Sequence, residues 1–445
     1  MIGVDRLIEK LNTLISGGSL TELEVTQLSK VVDTLEKKGV SSVLSAIYLP
    51  NVVENKGRLF WLQTEQRYVY SNGVGWDVDY LKKYYVNLWS WGINNVGHLG
   101  DGTTTSRRSP VTVVEKITDW VQASAAGAHT LALRANGTAW AWGINNGGRL
   151  GDNTVTSRLS PVSVVGGFTD WILLSAGAVN SLGLRANGTA WSWGYNEWGQ
   201  IGDGTTVSKI SPVSVVGGFT DWVSLSSGGR HSLGLRANGT AWAWGRNNYG
   251  QLGDNTTSNR SSPVSVVGGY TDWISVDVGE SHSLGLRANG TLWAWGFNDQ
   301  GRLGDNTITS RISPVSVVGG FTDWIAVSAA GRGSLGLRAN GTAWAWGRNA
   351  YGQVGDNTIT SRSSPVSIVG GFTDWVSVGG MLESGIGLRS NGTLWTWGRN
   401  TAGQLGDNTT SNRSSPVSVV GGFTDWISHD ILGSTSAHAL GIRAV

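Results

Sequence analysis

A unit of 51 residues recurs seven times between Leu88 and the last residue, and no other feature constrains the fold of this chain as tightly. Trp-x-Trp-Gly begins at Trp89, Trp140, Trp191, Trp242, Trp293, Trp344 and Trp395. An Asp-Trp pair keeps the same step at Trp120, Trp171, Trp222, Trp273, Trp324, Trp375 and Trp426, as does a proline from Pro110 to Pro416. A period of about 40–50 residues made of short strands belongs to a propeller or similar array, because one repeat cannot bury its own faces.

Within one unit, Thr138-Ala-Trp-Ala-Trp-Gly143 alternates as a strand, with Trp140 and Trp142 on one face and Ala139 and Ala141 on the other. Pro161–Val165 reads as a second strand, with Pro161 placed first so that no ladder donor is lost. Asp170–Ser175 is a third and Ser181–Arg185 a fourth, followed by an Asn-Gly hairpin tip at Asn187. Four antiparallel strands make one blade. Six Asn-Gly tips are intact, and the seventh hairpin is split between Leu88–Gly92 and Ala439–Arg443. Pairing the two halves would close the ring and remove free sheet edges.

The stretch Trp244 to Asp254, the Ser-Pro-Val and the Gly228 to Leu235 pattern resemble the regulator of chromosome condensation repeat. That resemblance covers residues 88–445 and implies a seven-bladed propeller. Its members include an exchange factor, a plant photoreceptor and a bacterial inhibitor protein, so it implies no single function. The exchange factors use an inserted wedge, and these units have no long insertion. The photoreceptor carries Trp in a loop where this chain has Gly127-Ala-His-Thr130.

Composition narrows the function classes. A net charge of +2 with 14% charged residues argues against nucleic acid as a partner. The absence of cysteine rules out disulfides and Cys-ligated zinc. No apolar run approaches the about 18 residues of a spanning helix, so membrane insertion is not expected, and the first residues lack a secretory h-region. No metal site, cofactor or enzymatic constellation stands out. Histidines 129, 231, 282 and 438 share one repeat phase and are expected to make local hydrogen bonds at a strand start. The Asp101-to-Asp407 and Arg107-to-Arg413 series are expected to brace each loop.

Strand direction puts the loop after Trp-Gly and the loop after the Asp-Trp strand on one face of the ring. The Gly-Gly-Phe-Thr and Ala-Asn-Gly turns lie on the other. The turn face is nearly constant among units, whereas the loop face collects aromatics and arginines, which are the residues of interface hot spots. The expected ligand-binding face comprises Tyr195, Trp198, Arg230, Arg246, Tyr249, Phe297, Arg332, Arg348, Tyr351 and Arg399.

The first 87 residues differ in chemistry and hold seven of the nine lysines. Val4, Leu7, Ile8, Leu11, Leu14 and Ile15 form a helical stripe, and Leu28, Val31, Val32 and Leu35 continue a second helix opened by Ser19-Leu-Thr-Glu22. Residues 1–45 are therefore expected to be a helical hairpin that oligomerises, with a trimer favoured. Residues 46–87 are expected to be a small β-module and linker, and residues 88–445 the mainly β propeller. Gly57 to Trp76 resembles β-modules near the attachment end of bacteriophage tail fibres. On that resemblance the chain is expected to be a phage virion protein, a tail fibre or receptor-binding subunit located in the virion. Residues 1–87 would then dock on other virion proteins, and the propeller would face a host cell-surface protein or glycan. The alternatives are a bacterial protein-binding or inhibitor propeller in the cytoplasm and an exchange-factor-like regulator.

Overall fold

The computed structural model describes residues 59–62, 67–71, 76–77, 86–114, 117–127, 129–380, 382–429 and 438–444. The chain divides into two compact units, residues 1–85 and 86–445. In the first unit, Leu59–Leu62, Arg67–Ser71 and Trp76–Asp77 form a three-stranded antiparallel sheet. The register pairs Phe60 with Val69 and Ser71 with Trp76. The helical hairpin expected at residues 1–45 lies outside the described residues.

The second unit is seven sheets of four strands. Blade one runs from the inner strand Trp120–Ala126 through His129–Arg134 and Ala139–Gly143 to the outer strand Arg158–Ser163. Blades two to six repeat this order from Trp171, Trp222, Trp273, Trp324 and Trp375. Blade seven is composite: Trp426–His429 and His438–Ala444 come from the end of the chain, and Val86–Gly92 and Arg107–Thr112 from the start of the array. Gly441 pairs with Trp89 and Ala439 with Trp91, so the ring closes through the split hairpin.

One side chain per blade fastens each sheet to the previous one. The second Trp of Trp-x-Trp is fully buried in every blade. Its indole Nε1 donates to a main-chain carbonyl of the preceding blade's loop: Trp142 to His98 at 2.9 Å, Trp244 to Gln200 at 3.0 Å and Trp346 to Arg302 at 2.9 Å. Trp91 reaches Gln404 in the same way at 3.0 Å, which makes the closing contact equivalent to the other six. A buried indole N–H needs an acceptor, and this one is supplied by backbone that every loop possesses.

The glycine of each Gly-Asp pair is fixed by that indole. At Gly253 φ is +68°, and a Cβ would lie 2.8 Å from Trp295 Nε1. At Gly269 φ is +66°, but a Cβ would meet nothing within 4 Å. Gly253→Ala is expected to cost about 2–4 kcal/mol, from left-handed strain plus overpacking, and Gly269→Ala about 1–2 kcal/mol from strain alone. Equal denaturation midpoints for the two variants would remove the packing argument.

Proline does not begin its strand. The outer strand runs Arg158–Ser163, with Pro161 inside it. The ladder shifts register between Ala141 and Gly143, and Pro161 lies opposite that irregularity on the edge of the sheet, where no donor is required.

The phase-locked histidines also differ from the expectation of local bonds. His129 Nε2 shares a hydrogen bond with Ser181 Oγ at 2.9 Å, His231 with Ser283 at 3.0 Å, His282 with Ser334 at 2.9 Å and His438 with Thr130 at 2.9 Å. Each bond joins one blade to the next, from the start of one second strand to the second strand of the neighbouring blade. Burial lowers all four histidines, taking His231 down to about 3. They are neutral packing groups.

Candidate functional site on the loop face

A buried asparagine organises each long loop. Asn145 Oδ1 accepts from Leu150 N at 2.9 Å, while its Nδ2 donates to Asp152 Oδ1 at 2.9 Å and Thr154 O at 3.0 Å. Asp152 holds Arg158 at 2.7 Å, and the six equivalent ion pairs recur from Asp101 to Asp407. The Asp/cation series therefore braces the loops, as its alternation suggested. With the loop frame held by Asn and Asp, the residue after Trp-Gly and the residue three further on are free to differ.

A second set of bonds ties the two loops of a blade together. Arg246 N donates to Arg230 O at 2.9 Å, Arg348 N to Arg332 O at 3.0 Å and Arg399 N to Glu383 O at 2.9 Å. Residues far apart in sequence thereby become neighbours on the face.

The expected binding residues fall into two adjoining groups. In the first, the Tyr195 and Trp198 rings lie 5.9 Å apart, Arg230 Cζ sits 4.3 Å above Trp198, and Arg246 Cζ lies 5.7 Å from the same ring. Tyr249 and Phe297 follow, with ring centroids 4.3 Å apart. In the second, Arg348 and Arg399 bind Glu383 at 2.8 and 2.7 Å, Arg332 approaches it at 4.0 Å, and Tyr351 lies 5.3 Å from Arg399 Cζ. Between the groups opens a pocket of about 590 Å³, lined in part by Arg246, Tyr249, Phe297, Arg332 and Arg348. Ala128 and residues 431–437, which also belong to the variable loops, lie outside the described residues.

Four participants were not anticipated from the sequence. Glu383 is a buried carboxylate shared by three arginines. Glu280 pairs with Arg332 at 3.1 Å. Arg302, only 2% exposed, stacks 4.8 Å from Phe297 and pairs with Asp299. Asp277 occupies the phase of Ser175 and Ser328 on the inner strand. It accepts from Ser226 Oγ at 2.7 Å, Val278 N at 2.9 Å and Ala329 N at 2.8 Å, so one carboxylate joins three blades. Burial pushes it up to about 6 against these bonds. The available signal was phase: Glu383, Arg302 and Asp277 each replace a different residue type at a position set by the repeat.

The constancy of the turn face has a packing cause. Arg185 Cζ lies 4.1 Å over Phe168 and its Nε donates to Asp170 at 2.8 Å, while Phe168 meets Trp191 at 4.9 Å. The same cluster recurs around Phe219, Tyr270, Phe321, Phe372 and Phe423. Among the described residues, the loop face carries no equivalent cluster repeated in every blade.

The chain is similar to a family of propellers. The model described as RCC1-like domain matches residues 174–442, and that of the Regulator of chromosome condensation (RCC1) repeat matches residues 87–133. The Ultraviolet-B receptor UVR8 of Arabidopsis thaliana is 27% identical over 338 residues, covering 74% of this chain and 76% of its own. The E3 ubiquitin-protein ligase HERC2 of Homo sapiens is 27% identical over 347 residues, 74% of this chain and 7% of that protein. Yeast RCC1 (Prp20), solved bound to Kap60, superposes with a TM-score of 0.71 at 20% identity, covering 82% of this chain and 91% of that one.

These relatives are eukaryotic proteins, which overturns the expected phage virion function and virion localisation; the bacterial inhibitor alternative draws no support from them either. The tail-fibre resemblance rested on about 20 residues, and the observed three-stranded sheet accounts for them. Aromatics near Gly-containing turns are common in small antiparallel sheets, so the pattern alone does not establish descent. The 51-residue period, the interblade indoles and the matched residues point one way: this chain belongs to the RCC1-like domain family.

Proposed function

We propose that the chain is a non-catalytic protein-interaction module whose loop face docks a partner protein. The observation that carries this reading is the arc from Tyr195 to Phe297 beside an open pocket of about 590 Å³. Aromatics and arginines gathered on an exposed face, over a rigid loop frame, have the composition of an interface core. The strongly shifted buried groups serve packing instead: His129, His231, His282 and His438 link blades, and Asp277 ties three inner strands. Self-association through the apolar positions of residues 1–45 is part of the same reading and rests on the sequence alone. The preference for a trimer borrowed the symmetry of fibres and loses that support.

The test compares partners captured by the intact protein and by Trp198→Ala/Tyr249→Ala/Tyr351→Ala. Arg348 is left in place because its removal would strip a partner from the buried Glu383 carboxylate. Each truncation is expected to cost about 1–2 kcal/mol, so the triple variant should lose about a hundredfold or more in affinity. Ile274 and Ile325, the exposed apolar residues near the start of the inner strands, mark the competing surface. Partners that survive the aromatic variant and are lost with Ile274→Ser/Ile325→Ser would place binding on the turn side.

A further inference from the structure

Most arginines of the loop face already have a carboxylate. Arg302 holds Asp299, Arg332 holds Glu280, and Arg348 and Arg399 share Glu383. Two do not. Among the described residues, Arg230 and Arg246 have no carboxylate oxygen within 4.0 Å. The Nε of Arg246 is buried without a hydrogen-bond partner. Glu197, the acid nearest in sequence to Trp198, accepts the Tyr195 hydroxyl at 2.9 Å.

Both guanidiniums lie close to one indole, at 4.3 and 5.7 Å from the Trp198 ring, and their backbones are joined by the Arg246 N to Arg230 O bond. Two adjacent cations without a counterion repel each other, and a guanidinium presents a planar fork that matches a carboxylate. Arg246 also lines the pocket, whose walls include Tyr249 and Phe297 and carry four arginines against two carboxylates, Glu280 and Asp299, which are already paired with Arg332 and Arg302. The pocket is of the size that holds a few side chains. The loop frame fixes this geometry in advance, so little ordering opposes binding.

We propose that this part of the loop face binds an acidic peptide segment, with a carboxylate held by Arg230 and Arg246 at the edge of the pocket and a neighbouring apolar side chain inside it against Tyr249 and Phe297. The inference rests on the reading of the loop face as the docking surface. The binding is expected to weaken with added salt, because Arg230 is exposed.

The experiment selects a random peptide library on the immobilised full-length protein. Enriched sequences should combine Asp or Glu with an aromatic or aliphatic residue. Their affinity should fall about tenfold or more in Arg230→Gln/Arg246→Gln and again in Trp198→Ala/Tyr249→Ala. Melting temperatures of both variants should stay near that of the intact protein, since none of the four side chains forms an ion pair among the described residues. Enriched peptides that are neutral or basic, yet lost in Trp198→Ala/Tyr249→Ala, overturn the acidic ligand and keep the docking face. Peptides that bind both variants undiminished overturn the ligand and the face together. An empty selection overturns the acidic ligand, and the capture comparison described above then decides the face separately.

Discussion

Deleting residues 438–445 is expected to open the ring and make the protein aggregate. The deletion removes His438–Ala444, which pairs with Val86–Gly92 on one side and Trp426–His429 on the other. Leu440 and Ile442 are buried, and losing their burial alone costs about 3–6 kcal/mol. That is a large share of the about 5–15 kcal/mol by which ordinary domains are stable. Two strand edges are then exposed, each a template for intermolecular pairing. Light scattering and thermal melting check this. A truncated chain that keeps the oligomeric state and the melting temperature of the intact protein would show that closure contributes nothing.

Acidification from pH 7 to pH 5 is expected to have an effect of similar size. Burial lowers His129, His282 and His438 well below the ordinary value, His231 to about 3 and His98 to about 4. The unfolded chain takes up protons at these sites near pH 6.5, and the folded chain does not. Stability from the histidines is therefore complete above about pH 6.5 and is lost as pH falls towards the folded values, by about 1.4 kcal/mol per pH unit for each group. Asp277 acts in the opposite sense. Its carboxyl is raised to about 6, so the folded state gains a proton first and recovers some stability in the same range. Five histidines against one aspartate leave a net loss of several kcal/mol. His129→Asn/His231→Asn/His282→Asn should flatten the acid limb, since Asn180 occupies that phase in blade two. A denaturation midpoint that does not move between pH 7 and pH 5, or an unchanged limb in the triple variant, would contradict the account.

The ring was legible because periodicity is a property of the sequence itself. Trp-x-Trp-Gly, Asp-Trp and Asn-Gly at one spacing leave few ways to bury fourteen strand tryptophans, and the split hairpin identified its own partner. Contacts between repeats were harder to read. These strand-start histidines reach a Ser or Thr in the next blade, 52 residues away for His129 but 308 for His438, and sequence phase alone does not say whether a neighbour in phase is a neighbour in space. The same limit hid Glu383, which looked like one more variable loop residue until three arginines were seen to converge on it. Pro161 was misplaced for a local reason, because a strand irregularity leaves no mark in composition. The tail-fibre reading failed because a short aromatic pattern was treated as ancestry, although the demands of a three-stranded sheet suffice to produce it.

The interblade indole bond has a consequence for how such a chain can change. Its acceptor is always a main-chain carbonyl, at positions occupied by His98, Arg149, Gln200, Gln251, Arg302, Gln353 and Gln404. The attachment thus makes no use of what the side chain at that position is. Those side chains are themselves buried, whereas residues two positions earlier in the same loops, such as Trp198 and Tyr249, reach the surface and can change what the protein presents without loosening the joint that carries it. Duplicated blades can then diverge in recognition one substitution at a time, each intermediate still a closed ring.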